Sequence, residues 1–306
     1  MIARSLLSGG ASKVYILGRR QEALDTACTQ NLGLIPIQCD ITSKASLQAA
    51  VDHITQDVGY INLLIANSGI LGPTATFVPG QSVSELRKSM FEDSSMDEFN
   101  RVFMVNTTAT YFSMLAFLEL LAAGNKHALS SPAHFGAPLK EGSDVPSIQS
   151  QVVVTSSVGA FLREWMCAPA YAGSKAAIVH VVKQTSSGLA AHGIRVNALA
   201  PGCISPFSPP SYLLPLPSST FSALSRTAAP LTSTGFPSEM ADAVINSRDP
   251  GTEDSSNPAF IPARRFGGEE EMAGTVLYLA SRAGSFCNGL VLVNDGGRLG
   301  VTQSTY

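Results

Sequence analysis

Six short runs rich in β-branched and apolar residues, at 13–17, 35–39, 62–66, 151–155, 195–199 and 290–294, alternate with stretches patterned as helices. That alternation is the signature of a parallel sheet linked by crossover helices. The runs are continuously apolar rather than alternating, so the strands are expected to be covered on both faces. The intervening helices are predicted over 21–30, 44–57, 96–122, 172–191 and 269–281. Ser95 followed by Glu98 is a capping box placing a helix start just before Met96, and Thr42 or Ser43 can cap the helix that starts at Lys44.

Two stretches break this rhythm. Residues 124–150 are polar and rich in Gly, Pro and Ser, and are read as a long loop. Residues 205–234 hold eight Ser, six Pro and a single charge, Arg226. So many prolines oppose regular helix or sheet. Both are read as irregular insertions in one domain spanning 1–306.

Composition narrows the function class. A formal charge of −3 gives no electrostatic case for nucleic acid or an anionic membrane surface. No segment reaches the ~20 apolar residues of a membrane span. The N-terminus lacks a signal-peptide pattern, so the default compartment is cytoplasmic. The five cysteines are scattered without CxxC pairs or zinc-ligand spacing, which argues against a metal site or disulfide framework.

Chemistry concentrates around Tyr171-Ala-Gly-Ser-Lys175. Spacing i, i+4 puts phenol and ammonium on one helix face. A free phenol titrates near ~10, and a neighbouring cation lowers that by ~1–3 units, into the range of a general acid/base. Alone, the pattern is weak. Ser157, just past the strand at 151–155, strengthens it, because open α/β sheets bind ligands at the C-terminal ends of their strands. A serine there can donate a hydrogen bond to a carbonyl oxygen as charge develops.

The ordered set Ala66-Asn67-Ser68-Gly69, Asn106, Ser157, Tyr171-x-x-x-Lys175, Pro201-Gly202 and Asn294-Asp295-Gly296-Gly297 resembles the short-chain dehydrogenase/reductase family. The similarity runs from Ile2 to about Leu299 outside the two irregular stretches, and is greatest to fungal and bacterial reductases of β-ketoacyl or secondary-metabolite type. The resemblance implies a Rossmann-like doubly wound parallel sheet and an oxidoreductase that reduces a ketone, or oxidises a secondary alcohol, on a small to medium apolar metabolite. Tyr171 would be the general acid or base, and Ser157 would orient the carbonyl. Lys175 would lower the tyrosine's pKa and hold the nicotinamide ribose. Asn106 would hold a water joining Lys175 to solvent. Asn67, Gly69, Pro201, Gly202 and Ser238 would line the cofactor, with Asp40 meeting the adenine or, alternatively, only neighbouring a helix cap. Residues Phe161, Leu162, Trp165 and Met166 would flank the substrate or simply pack. A homodimer or homotetramer is implied, paired through the helices near 96–122 and 172–191.

The run Val-Tyr-Ile-Leu ends in Gly18-Arg19-Arg20 with no carboxylate. Arginine suits a ribose 2′-phosphate, so NADP(H) is favoured over NAD(H); the alternative is that both arginines form a solvated helix entry. Two departures from the family stand out. Its first strand and glycine-rich loop have no counterpart, because the chain opens on the helix that follows them. A truncated gene product lacking the central strand is therefore expected, and with it two unpaired strand edges and a lost pyrophosphate cradle. A catalytically inactive relative is the alternative reading. The second departure is 205–234, read as a retained intron or, alternatively, a substrate-covering loop.

Overall fold

The computed structural model describes residues 1–164, 167–202, 248–257 and 259–306. Trp165, Met166, Ser238 and the 205–234 stretch lie outside the described residues. Six strands are described, each parallel to its neighbours within its sheet: β1 (Val14–Gly18), β2 (Leu34–Gln38), β3 (Leu63–Ala66), β4 (Gln151–Thr155), β5 (Arg195–Pro201) and β6 (Val291–Asn294). They form two sheets, a β1-β2 pair and a four-stranded sheet in the order β3-β4-β5-β6. Every strand expected from the hydrophobic runs is present, within two residues at each end. The fold is Rossmann-like.

Nine α-helices are described: α1 (Ile2–Ser8), α2 (Gln21–Gln30), α3 (Lys44–Asp57), α4 (Val83–Arg87), α5 (Met96–Phe103), α6 (Thr110–Ala116), α7 (Leu118–Leu129), α8 (Pro169–Leu189) and α9 (Glu269–Ala280). Among the described residues no strand pairs with both β1 and β3, so the sheet is broken between them, with the two unpaired strand edges that were expected. The two halves still share a core. On one face α1 packs through Ala3, Leu6 and Leu7 on the β1-β2 side, and through Met1, Ile2 and Leu6 on the cluster built from Val153, Leu199 and α9. On the other face α3 and Phe117 join Ile37 and Leu17 to Leu64. Between the halves runs a cavity of about 1820 Å³ lined by β1, β3, α1 and Phe117.

The sequence reading needs correction in three places. The helix expected over 96–122 is broken: Met104–Ala109 makes a π-turn between α5 and α6, and the axis breaks again at Phe117 before α7. Ser95 caps α5 by accepting from Glu98 N–H at 3.3 Å, but the full capping box is made at Ser82 and Glu85, which start the unforeseen α4. Residues 124–129 are not loop but the end of α7. Position 124 requires glycine within the helix because the backbone of Ile61 passes close there. A Cβ on it would come within 2.7 Å of Ser150 Oγ and nearer still to the Ile61 carbonyl oxygen, which cannot swing aside. Gly124→Ala is expected to lower stability by about 1–3 kcal/mol in urea unfolding, despite alanine's better helix propensity.

Candidate active site

The long α8 begins with Pro169 at its first position, a start that proline favours. Tyr171 therefore sits in the first turn of α8. Lys175 follows one turn later, with Nζ 5.8 Å from the Tyr171 ring centroid. Ser157 lies beyond the C-terminal end of β4 and caps a short 3₁₀ turn by accepting from Gly159 N–H at 3.0 Å. Gly159 is the hub that joins them. A Cβ there would stand 3.2 Å from Tyr171 Cε1 and 3.4 Å from Ser157 Oγ, so serine, tyrosine and lysine share one wall of the cavity.

Lys175 is 4% exposed, and its ammonium donates to the Thr155 carbonyl at 2.8 Å. Burial pushes its pKa down from 10.5 to about 8. Three donors with one backbone acceptor leave the ammonium capacity for a further oxygen. Gly69 faces it across a narrow gap: a Cβ at Gly69 would be 3.4 Å from Lys175 Nζ and 3.3 Å from Asn106 Oδ1. The absent side chain is what keeps that approach open.

Asn106, 1% exposed, sits in the π-turn, a feature frequent at functional sites. Its amide is heavily engaged. Nδ2 donates to the Ile70 carbonyl at 2.9 Å and to Ser174 Oγ at 3.0 Å, and Oδ1 accepts from Ile70 N–H at 2.8 Å. Asn106 thus pins the Gly69-Ile70 turn to α8. Ser174 and Ser156 do similar work that the motif reading missed. Ser174 Oγ donates to the Tyr171 carbonyl at 2.8 Å, and Ser156 Oγ to the Lys175 carbonyl at 3.0 Å. Both are buried and adjoin motif residues in sequence, the one signal that could have marked them.

Arg19, Arg20, Asp40, Asn67, Leu162, Pro201 and Gly202 line the same cavity; Phe161 does not, and stacks edge to face with Tyr306. Asn67 accepts from Thr155 Oγ1 at 2.9 Å. Pro201 ends β5, and Gly202 N–H donates to the Asn294 carbonyl at 2.8 Å. Asp40 closes a local turn, accepting from Thr42 N–H at 2.9 Å and Thr42 Oγ1 at 2.7 Å; these bonds hold its carboxyl below the usual carboxylate range. Ser43, not Thr42, caps α3. Arg19 and Arg20 are exposed at the C-terminal end of β1, on the rim of the cavity.

The chain matches known proteins in sequence and in fold. The family model for short chain dehydrogenases matches residues 1–128, and the model described as enoyl-(acyl carrier protein) reductase matches residues 135–246. The short-chain dehydrogenase/reductase SAT3 of Stachybotrys chartarum is 53% identical over 306 residues, covering 100% of both chains. PhomF of Diaporthe leptostromiformis is 38% identical over 311 residues, covering 100% of this chain and 89% of its own. Among solved structures, the Pseudomonas aeruginosa RhlG/NADP complex superposes with a TM-score of 0.65 at 23% identity, covering 97% of this chain and 90% of that one. A 7α-hydroxysteroid dehydrogenase complexed with NADH and 7-oxo glycochenodeoxycholic acid gives 0.66 at 21% identity, covering 99% and 89%.

Proposed function

The chain belongs to the short-chain dehydrogenase/reductase family of oxidoreductases, and on that footing we propose that it reduces a ketone on a small to medium metabolite with NADPH. The observation that carries this reading is the convergence of Ser157, Tyr171 and a buried Lys175 around Gly159 and Gly69. The family binds a nicotinamide dinucleotide, which supplies the hydride. The residues present fit its nicotinamide end: the ammonium of Lys175 has donors to spare for ribose hydroxyls, and Gly69 leaves the approach open. Asn67, Pro201 and Gly202 would border that end, Asp40 would serve the adenine end, and a water held beside Asn106 would link Lys175 to solvent.

On the protein side, the Ser157 hydroxyl donates to the substrate carbonyl oxygen and fixes its direction. The Tyr171 phenol donates the proton that turns that oxygen into a hydroxyl. The Lys175 charge favours the phenolate left behind. Alcohol oxidation uses the same groups in reverse, with Tyr171 as base. A screen of carbonyl compounds with NADPH tests the reading; it stands if consumption of NADPH depends on Ser157 and Tyr171.

Preference for NADPH over NADH rests on Arg19 and Arg20 at the tip of β1, whose guanidinium groups suit a ribose 2′-phosphate. Replacing both with alanine is expected to raise KM for NADPH about 10-fold, the loss of one charge-assisted contact, and to leave KM for NADH nearly unchanged. Steady-state kinetics with both cofactors checks this. Met96, Phe99 and Met104 leave an apolar surface exposed along α5 and the π-turn, which supports a homodimer or homotetramer. A cytoplasmic enzyme of secondary metabolism fits the fungal relatives; among the described residues no single helix is long and apolar enough to cross a membrane.

The open slot between β1 and β3 favours a second reading, a relative that does not hold the dinucleotide unaided. NADPH titration of the isolated chain separates the two readings.

A further inference from the structure

Four buried side-chain polar atoms among the described residues lack a hydrogen-bond partner: Ser147 Oγ, Ser150 Oγ, Arg195 Nε and Arg298 Nε. Of these residues, Arg298 alone lines the cavity that holds Ser157 and Tyr171. A buried donor left unmade calls for an explanation.

Arg298 is placed with care. Asp295 fixes the preceding turn, accepting from Gly297 N–H at 2.8 Å and from Leu299 N–H at 2.7 Å, and Gly297 takes φ +87° before the 3₁₀ turn Arg298–Gly300. Beyond that turn the chain clasps the segment between Ser157 and Tyr171. Arg163 N–H donates to the Gln303 carbonyl at 2.9 Å, Thr305 N–H to the Phe161 carbonyl at 2.8 Å, and Tyr306 meets Phe161 edge to face. Across this clasp Arg298 faces Glu164, with side chains 11% and 8% exposed. Their closest approach is 3.4 Å, longer than the ~2.8 Å of a well-made charge-assisted bond. Glu164 offsets the buried charge without using up the guanidinium. The site is near the chemistry, because Cys167 N–H donates to the Glu164 carbonyl at 3.3 Å. The Cys167 sulfur would lie 3.3 Å from a Cβ on Gly159, the hub between Ser157 and Tyr171.

We propose that Arg298 is a specificity-determining residue whose guanidinium takes a second oxygen acceptor on the substrate, so that the enzyme selects ketones carrying an additional carbonyl, ester or hydroxyl oxygen over plain alkyl ketones. This rests on the reading of Ser157, Tyr171 and Lys175 as a carbonyl-reducing site. A site built to hydrogen-bond a substrate oxygen discriminates strongly against an analogue lacking it, because its own buried group is then left unpaired. Glu164 keeps the pocket near neutral, which suits a neutral acceptor.

Ethyl levulinate and octan-2-one have main chains of equal length and differ by the ester. Both are followed in two ways, by NADPH consumption and by quenching of Trp165, the chain's single tryptophan and the sequence neighbour of Glu164. Arg298→Met is made alone and with Glu164→Gln, the double variant avoiding an unpaired buried carboxylate. The expected result is tighter binding of ethyl levulinate by the wild type, weakened about 10-fold in the double variant with octan-2-one little changed. Equal effects on both compounds, no wild-type preference for the ester, or no saturable quenching by either would overturn the proposal. Selective quenching without NADPH consumption would uphold Arg298 and count against the reductase reading.

Discussion

Tyr171→Phe is expected to lower carbonyl reduction by a factor of about 10²–10⁴, the usual contribution of a positioned general acid. The ring stays and only the hydroxyl goes, so the contact of Tyr171 with the Gly159 hub and the course of α8 persist. Ser174 holds the Tyr171 backbone carbonyl rather than its phenol, and that bond is untouched. A general-acid role predicts that turnover falls far more than stability in urea unfolding. A loss of stability in step with activity would mean that the phenol serves the fold rather than the reaction.

Lys175→Met is expected to separate function from stability in the opposite direction. Burial lowers the lysine's pKa from 10.5 to about 8, so below pH 8 the folded protein carries a charge that its surroundings disfavour. The gap between 10.5 and about 8, at about 1.4 kcal/mol per pH unit, corresponds to roughly 3 kcal/mol. A methionine of similar length removes that penalty, at the loss of the bond to Thr155. A net gain of about 1–2 kcal/mol at pH 7 is expected, with turnover reduced at least ~100-fold because the tyrosine loses its cation. The sign with pH follows from the same shift. Between pH 8 and 10.5 the unfolded lysine binds a proton that the folded one has released, so wild-type stability from this group rises with pH across that window. The variant should lack that rise. In the wild type, reduction should fall above about pH 8 as the ammonium deprotonates.

Much of this arrangement was readable from residue order, and the reason is physical. The strands were legible because both faces of a parallel sheet are buried, so each strand is a continuous apolar run bounded by polar residues. The boundaries of α2 and α3 follow from apolar spacing and, at Ser43, a serine cap. The separation of β1-β2 from β3-β4-β5-β6 was expected as well, as two unpaired strand edges. The π-turn at Asn106 was not. Hydrophobic periodicity reports a face of a helix and is blind to one inserted residue that re-aims it. Gly124 looked like a loop opener, because the sequence does not show that the Ile61 backbone passes against its helix. At the site, Ser157, Tyr171 and Lys175 were visible because their spacing is local. Arg298 was invisible because its partner Glu164 lies 134 residues away.

Deuterium transfer tests the central claim most directly. NADPH dideuterated at the nicotinamide C4, so that either face delivers the label, is incubated with the chain and ethyl levulinate, and the alcohol product is examined by mass spectrometry. The structure predicts one deuterium on the former carbonyl carbon with the wild type and little product with Tyr171→Phe. Absence of labelled alcohol from the wild type, or equal labelling by the variant, would contradict a carbonyl-reducing site built on Ser157, Tyr171 and Lys175.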